Sequence, residues 1–545
     1  MIRRIQSPPS TDVPIREGRW FKARTLDPWL RSDRLNNVHI AGIEKNSGVA
    51  HLARQGNSHF MAHRLAVLLT GALALGGCAL DTRMPKPDVR LPTAFEAAHA
   101  DAAIAPAALD QWWTLFNDDQ LTRLIEQALT ASPDAKSAMG RLREANATAR
   151  ETIFGLLPQG DVRGSAAQEH VSTQYKGVPA QYQSFLGAFS AAGNDQVYSG
   201  GLNVSWELDL WGRDFAAVKV ARAEVAAARF DYEATRMSLA AAVATQLFQA
   251  RGLAIQLDDA RENARIARDL AGIGRRKSDN GLGTTADAAR LESDAASAEA
   301  QASQTEALLR GAQRTLLVLI GRGGDPSSSL PIEAKVSPPP AVPSTTPGDI
   351  LARRPDVREA EARVRSAAGR LRLDKLAVFP TISLQPSYQY SRQDAQFTTI
   401  TTTGAAGVGV TVPFLSLPKL LQEVRAQGAR GEQAVAAYEK AVQTAYGDAE
   451  RGLTTVKADE RQVELLKGAT DKSRFAYDAA RKGYDLGLTD LTSLIQAEEA
   501  WRRTRSTLNS ANTASLVDTV ATFKALGGGW PAGGGGAGRV QGGTR

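Results

Sequence analysis

The chain has 545 residues, enough for several domains, and its 43% hydrophobic content is that of a folded protein. Lysine and arginine outnumber aspartate and glutamate by 65 to 58, a formal +7, but residues 1–60 hold ten of the basic and five of the acidic residues and the balance from residue 78 onward is 54 to 53, so the folded part lacks the basic face of a nucleic-acid binder. Cys78 is the single cysteine and only His99 and His170 follow it, which excludes an intrachain disulfide framework and leaves almost nothing for a metal site or a histidine-dependent triad.

Residues 61–78 read MAHRLAVLLTGALALGGC. A short basic start and a 13-residue apolar run, Leu65 to Gly77, make a secretory signal too short to span a bilayer as a helix. Leu75-Gly76-Gly77-Cys78 resembles the lipobox of bacterial lipoproteins. That resemblance implies cleavage before Cys78, lipidation of Cys78, and, because Ala79 rather than Asp follows, sorting to the outer membrane. A signal begins near a start codon, so Met61 is expected to be the true start and residues 1–60 an overcalled N-terminus or a leader. Residues 78–131 form an N-terminal segment ahead of the first repeat.

The rest of the chain repeats itself. Pro133-Asp134 matches Pro355-Asp356 and Leu157-Pro158 matches Phe379-Pro380, both at an offset of 222. Gly201, Gly281, Ile320 and Gly321 match Gly407, Gly487, Leu526 and Gly527 at an offset of 206. Two copies follow, 132–321 and 354–527, the first with 16 extra residues in a loop between Pro158 and Gly201.

Each copy opens with a helical run, Ser132 to Leu157 and Arg354 to Phe379, ended by Pro158 and Pro380. Strands come next, at about 160–210 and 380–414. Leu202, Val204, Trp206, Leu208 and Leu210 alternate with polar residues, as do Ile382, Leu384, Tyr388 and Tyr390, and then Ala406, Val408, Val410, Val412 and Phe414 alternate with glycine and threonine. The alternation covers about 9–11 residues in each, the length of a membrane β-strand, and also fits a soluble half-buried hairpin. Asp161–Gln168 is a weaker fourth strand. Long helices follow at about 214–320 and 419–526, reversing at Asn280–Gly283 and Asp485–Gly487. Their first arms predict rods of roughly 90–100 Å at 1.5 Å per residue. Alanine abounds in them without a strict leucine seam, which predicts a sheet-like array of helices. A Pro-rich linker, 322–353, joins the copies in extended form, and the Gly-rich tail 528–545 is expected to be disordered.

One chain supplies four candidate membrane strands. Four cannot close a barrel, and lipid does not tolerate open sheet edges. Two chains would give eight strands with a filled interior, and three would give twelve with a lumen. Several segments then carry a family resemblance. Trp112-Trp113 with Phe116, Asp118 and Leu121, then Trp206-Glu-Leu-Asp209-Leu-Trp211-Gly212-Arg213, then Arg353-Arg354-Pro355-Asp356-Val357, then Val412-Pro413-Phe414, and finally Ala525-Leu526-Gly527-Gly528-Gly529-Trp530 stand in the order of the outer-membrane factor family. The chain resembles its TolC-like, NodT-type lipoprotein branch, which serves resistance-nodulation-division efflux pumps.

The resemblance implies a mainly α protein with membrane β: a homotrimer whose twelve-stranded outer-membrane β-barrel continues into a long periplasmic α-helical barrel, with an equatorial belt between. It implies a passive channel for drugs or other small solutes, fed by a periplasmic adaptor (membrane fusion) protein and an inner-membrane pump, with outer-membrane lipid as the surrounding partner. A protein-secretion channel and a non-channel helical lipoprotein remain as other readings. No nucleophile elbow, phosphate loop, dinucleotide fingerprint or metal spacing points to an enzyme, a cofactor or a metal. By the same resemblance the helix starts after the two turns line the closed periplasmic tip. Asp287 and Arg290 stand there in copy one, an i, i+3 pair on one helix face, and Asp490, Ser493 and Gln496 in copy two, where Ser493 and Gln496 replace the acids that relatives often carry. Trp206, Trp211 and Tyr388 are candidate interfacial aromatics, and Asp209 and Arg213 a candidate ion pair where strand passes to helix.

Overall fold

The computed structural model describes residues 82–96, 106–171, 177–179, 181–182, 193–343, 346–394 and 398–529. Residues 1–60, the signal segment 61–77, Cys78 and the tail from Trp530 onward lie outside them.

After a short 3-10 run, Pro106–Phe116, the chain forms α1 (Asp119–Ala131), α2 (Pro133–Phe154), β1 (Gln159–Val171), β2 (Gly193–Leu208), α3 (Arg213–Asp279) and α4 (Thr285–Leu319). The second half gives α5 (Pro347–Arg353), α6 (Pro355–Leu376), β3 (Thr381–Asp394), β4 (Thr398–Thr411), α7 (Leu417–Asp485) and α8 (Leu491–Ala525). Helices α2 and α6 are both 22 residues long, and α4 and α8 both 35. Helices α3 and α7 run 67 and 69 residues, about 100 Å each. All four long helices end the same way. Gly281, Gly321, Gly487 and Gly527 hold φ between +71° and +76°, and the amide after each reaches back five residues, as from Leu282 to Lys277 O (2.8 Å) and from Leu488 to Gly483 O (2.7 Å). Glycine takes this left-handed position without the Cβ penalty.

The strands form one antiparallel sheet in the order β1-β2-β3-β4. Leu202 stands opposite Val162 on one side and Tyr388 on the other, and Tyr388 opposite Gly404. The strands are 13, 16, 14 and 14 residues long, beyond the 9–11 read from alternation. The difference lies in Gly193–Gly201 and Thr398–Thr403, where neither face is strongly apolar, so period two leaves no trace. Leu210, Val412 and Phe414, read as strand residues, fall beyond the strand ends.

Between sheet and helix tips lies a belt with the main core. Trp112 is fully buried and stacks on Phe523 at 5.7 Å, and Phe116 packs on Phe248 at 5.1 Å. Asp118 caps α1 by accepting the Leu121 amide (3.0 Å) and pairs with the buried Arg251, which also donates to Gln120 at 2.9 Å. Burial opposes the Asp118 charge, but Arg251 and the helix amides hold its carboxyl below the ordinary value. Arg353 pairs with Asp110. The tryptophan, aspartate and double-arginine motifs are therefore the belt's internal braces.

Two expectations change here. The linker 322–353 is not extended throughout, because Thr346 and Asp349 form a capping box that starts α5. The first two tail residues, Gly528 and Gly529, are packed into the belt. Gly528 is buried, a Cβ on it would lie 2.9 Å from Trp112 Cδ1, and the Gly529 amide donates to Leu109 O at 2.8 Å. Composition marks this glycine run as loose, whereas the belt needs residues without side chains there.

Between α7 and α8, Asp459 faces Asp518; burial first, then the second carboxyl, pushes Asp459 up to about 6. A folded-state pKa above the unfolded value means that stability falls as pH rises from about 4 through about 6. Asp459→Asn should raise the thermal midpoint at pH 7.5, with the gain shrinking below pH 6 and vanishing near pH 4. A melting series across that range checks it, and a gain independent of pH would refute it.

Candidate functional site

Strand pairing keeps even-numbered residues of all four strands on one face and odd-numbered residues on the other. The even face carries Val162, Tyr198, Leu202, Trp206, Ile382, Leu384, Tyr388, Ile400, Val408 and Val410. The odd face carries Asp161, Ser165, Ser199, Asn203, Glu207, Ser387, Gln389, Ser391 and Thr401. Polar groups on the odd face bond across strands, as Ser165 does with Ser199 at 2.7 Å. The even residues are largely solvent-exposed in the single chain, Val162 at 82% and Val408 at 67%. An apolar exposed face backing a polar one, with unpaired edges at β1 and β4, is the wall of a barrel that one chain leaves open.

The strand–helix junction settles the roles of Trp206, Asp209, Trp211, Gly212 and Arg213. Trp206 Nε1 donates to Leu156 O (3.1 Å), and Trp211 Nε1 to Pro380 O (2.7 Å). Trp211 also stacks on Phe379 at 5.1 Å, so this tryptophan joins the first half of the chain to the second. The Asp209–Arg213 ion pair does not form. The Asp209 carboxylate instead accepts the amides of Arg213, Asp214 and Phe215 at 2.6, 3.1 and 3.3 Å, and the Arg213 guanidinium reaches Glu207 at 3.3 Å. Gly212, at φ +77°, turns the chain so that Asp209 meets the first amides of α3. Orphan amides at a helix start are strong donors, and an upstream carboxylate satisfies three of them at once.

At the far end, Thr284 caps α4. Its hydroxyl oxygen accepts the Asp287 amide (3.0 Å), and the hydroxyl donates to the Asp287 carboxylate (2.7 Å). Asp287 is thus half of a cap rather than the partner of Arg290, which lies exposed one turn on. Asp490 holds on α8 the cap position that Thr284 holds on α4, and accepts the Ser493 amide at 2.7 Å. That amide, the Ser493 hydroxyl and the Thr492 amide keep its carboxyl below the ordinary value. Gln496 is exposed. The structure brings the two helix starts together through a small apolar cluster of Ala271, Leu291, Ala295 and Ile495.

Sequence reading missed the contacts that join the first helix pair to the second. Lys277 Nζ lies 3.3 Å from the Tyr484 hydroxyl and 5.8 Å from the ring centroid. Higher up, Asp259 takes Arg505 at 2.5 Å and the Asn509 amide at 2.8 Å. Burial pushes the Asp259 carboxyl up, against the pull of Arg505 and Asn509. Arg505 also lies over Trp501, which stacks on Tyr477 at 5.1 Å. The Lys277 and Asp259 pairs are 207 to 250 residues apart, so no local pattern announces them. Leu282 and Leu488, exposed at 79% and 80% in the two turns, were also missed. Their offset of 206 was visible.

The sequence profile of the family described as "Outer membrane efflux protein" matches residues 124–322 and 346–528. The pyoverdine export outer membrane protein OpmQ of Pseudomonas aeruginosa is 26% identical over 468 residues, covering 85% of this chain and 96% of that protein. The cation efflux system protein CusC of Escherichia coli is 24% identical over 463 residues, covering 84% and 97%. Among solved structures, the CmeC outer membrane channel of Campylobacter jejuni aligns with a TM-score of 0.72 at 19% identity, over 83% of this chain and 95% of that one.

Proposed function

The chain belongs to the outer membrane efflux protein family, and on that premise we propose that three copies close into one channel that conducts small solutes passively across the outer membrane. The four-stranded sheet carries this reading. It has one apolar face, one polar face and two unpaired edges, and lipid requires those edges to be paired. Three sheets make twelve strands, enough for a lumen lined by the odd-numbered polar residues. Helices α3 and α7, about 100 Å long, with α4 and α8 packed along them, would form the periplasmic conduit, with Asp287, Arg290, Asp490, Ser493 and Gln496 around its narrow end. A periplasmic adaptor and an inner-membrane resistance-nodulation-division pump would deliver solute there, and the pump would supply the energy. Lipidation at Cys78 would anchor each chain on the periplasmic side.

Light scattering combined with refractive index on the detergent-extracted particle tests this reading. The gene would start at Met61 with its signal intact. The expected protein mass is that of three chains. A one-chain or two-chain mass under mild extraction would overturn it, because four strands cannot close and eight leave no lumen.

A further inference from the structure

Residues 82–96 form a non-helical strap along α7, running in the same direction as the helix. The Lys375 ammonium donates to Thr82 O at 2.5 Å. The Asp88 amide donates to Glu439 at 2.9 Å and the Glu96 amide to Glu450 at 3.1 Å. Phe95 stacks on Tyr446 at 5.6 Å. Thr82 and Met84, half-buried, begin the strap, and they meet α7 where it has no side chains. A Cβ on Gly428 would overlap Thr82 Cγ2, and one on Gly431 would lie 2.8 Å from Met84 Cγ and 3.1 Å from its sulfur. In the first half, the positions 206 residues earlier are Arg222 and Val225. The notch therefore belongs only to the helix that carries the strap.

We propose that Gly428 and Gly431 are a seat built for the strap that follows Cys78, and that this seat holds the lipid anchor level with the periplasmic end of the sheet. The second part rests on the proposed lipidation of Cys78. Chain geometry supports the level. Four residue steps separate Thr82 from Cys78, a reach of at most about 14 Å. Gly428 lies eleven residues into α7, about 16 Å from its start just after β4. A seated strap keeps the anchor within one short tether of the rim where the barrel would meet its leaflet. A loose strap would let the anchor and the barrel sit at unrelated levels.

Limited trypsin digestion of the full-length, detergent-extracted protein tests the seat, with cleavage after Arg83 followed by mass spectrometry. Leucines at the notch (Gly428→Leu with Gly431→Leu) should speed that cleavage roughly tenfold, since docked segments are cut only after local opening. Gly447→Leu, at a position with no atom within 4 Å of the added carbon, should leave it unchanged. Met84→Gly removes the seated side chain without touching α7 and should give the same rise, so it decides the matter alone if the leucine variant does not fold. Equal cleavage of the wild type and Met84→Gly overturns the seat. The mass of the released Cys78 peptide reads lipidation separately. An unacylated Cys78 beside a protected strap sinks the anchor reading and leaves the seat. Deleting Ala79, Leu80 and Asp81 should raise cleavage in acylated protein and not in a Cys78→Ser chain; equal behaviour of the two overturns the fixed level.

Discussion

Arg354→Ala is expected to destabilise the belt by about 3–5 kcal/mol, the usual result of removing one partner from a buried charged network. The Arg354 side chain is 8% exposed. It holds Asp356 at 2.6 and 3.0 Å, reaches Asp448 at 3.5 Å, and points at the carbonyls of Ala445 and Ala525 at 3.4 Å. One guanidinium thus ties the start of α6 to the middle of α7 and the end of α8. Burial by itself would disfavour its charge, but Asp356 and Asp448 outweigh burial and hold the proton more firmly than usual. Alanine leaves the Ala445 and Ala525 carbonyls without their buried donor and takes the shared guanidinium from the part-exposed Asp356 and Asp448 carboxylates. Arg354→Lys keeps the charge but loses the planar fork that serves several acceptors at once, so it should fall between alanine and wild type. Denaturant unfolding followed by circular dichroism, together with heat resistance of the assembled particle on gels, checks the order. An alanine variant within about 1 kcal/mol of wild type would show that the belt rests on its aromatic core alone.

Channels with Asp259→Ala and Tyr484→Phe together should conduct far more often than wild type in planar bilayers. The two substitutions remove the polar links between the first helix pair and the second at two heights: Asp259 with Arg505 and Asn509, and Lys277 with Tyr484. On the proposed function, opening of the conduit at its tip parts the two pairs, so links between them favour the closed state. Links of this kind contribute about 1–2 kcal/mol each, and their joint loss should raise the open fraction roughly tenfold or more. Asp258→Ala, at the exposed neighbouring position, is the control and should not differ from wild type. Unchanged conductance in the double variant would refute a closure held by these two links.

Much of this protein is local information, and the sequence alone determined it. Period-two runs marked the inner halves of the strands. Proline and serine marked the start of α2, proline that of α6, and glycines marked four identical helix ends. The offsets of 222 and 206 marked the duplication. Each of these signals lies within a few residues, or repeats at a constant interval, because backbone preference and amphipathic spacing act over single turns. The tertiary structure decided what lies across the chain. β2 pairs with β3 although Leu208 and Thr381 are 173 positions apart. Asp209 turned from the expected partner of Arg213 into an acceptor for three amides. Asp287 turned from the partner of Arg290 into a cap. Asp259 and the glycine notch acquired meaning only from partners some 250 to 350 residues away, and Arg354, beyond its neighbour Asp356, from partners 91 to 171 away. A charged side chain has many acceptable partners and no periodicity, so its neighbours are set by how whole helices and strands pack, and no short window of sequence contains that.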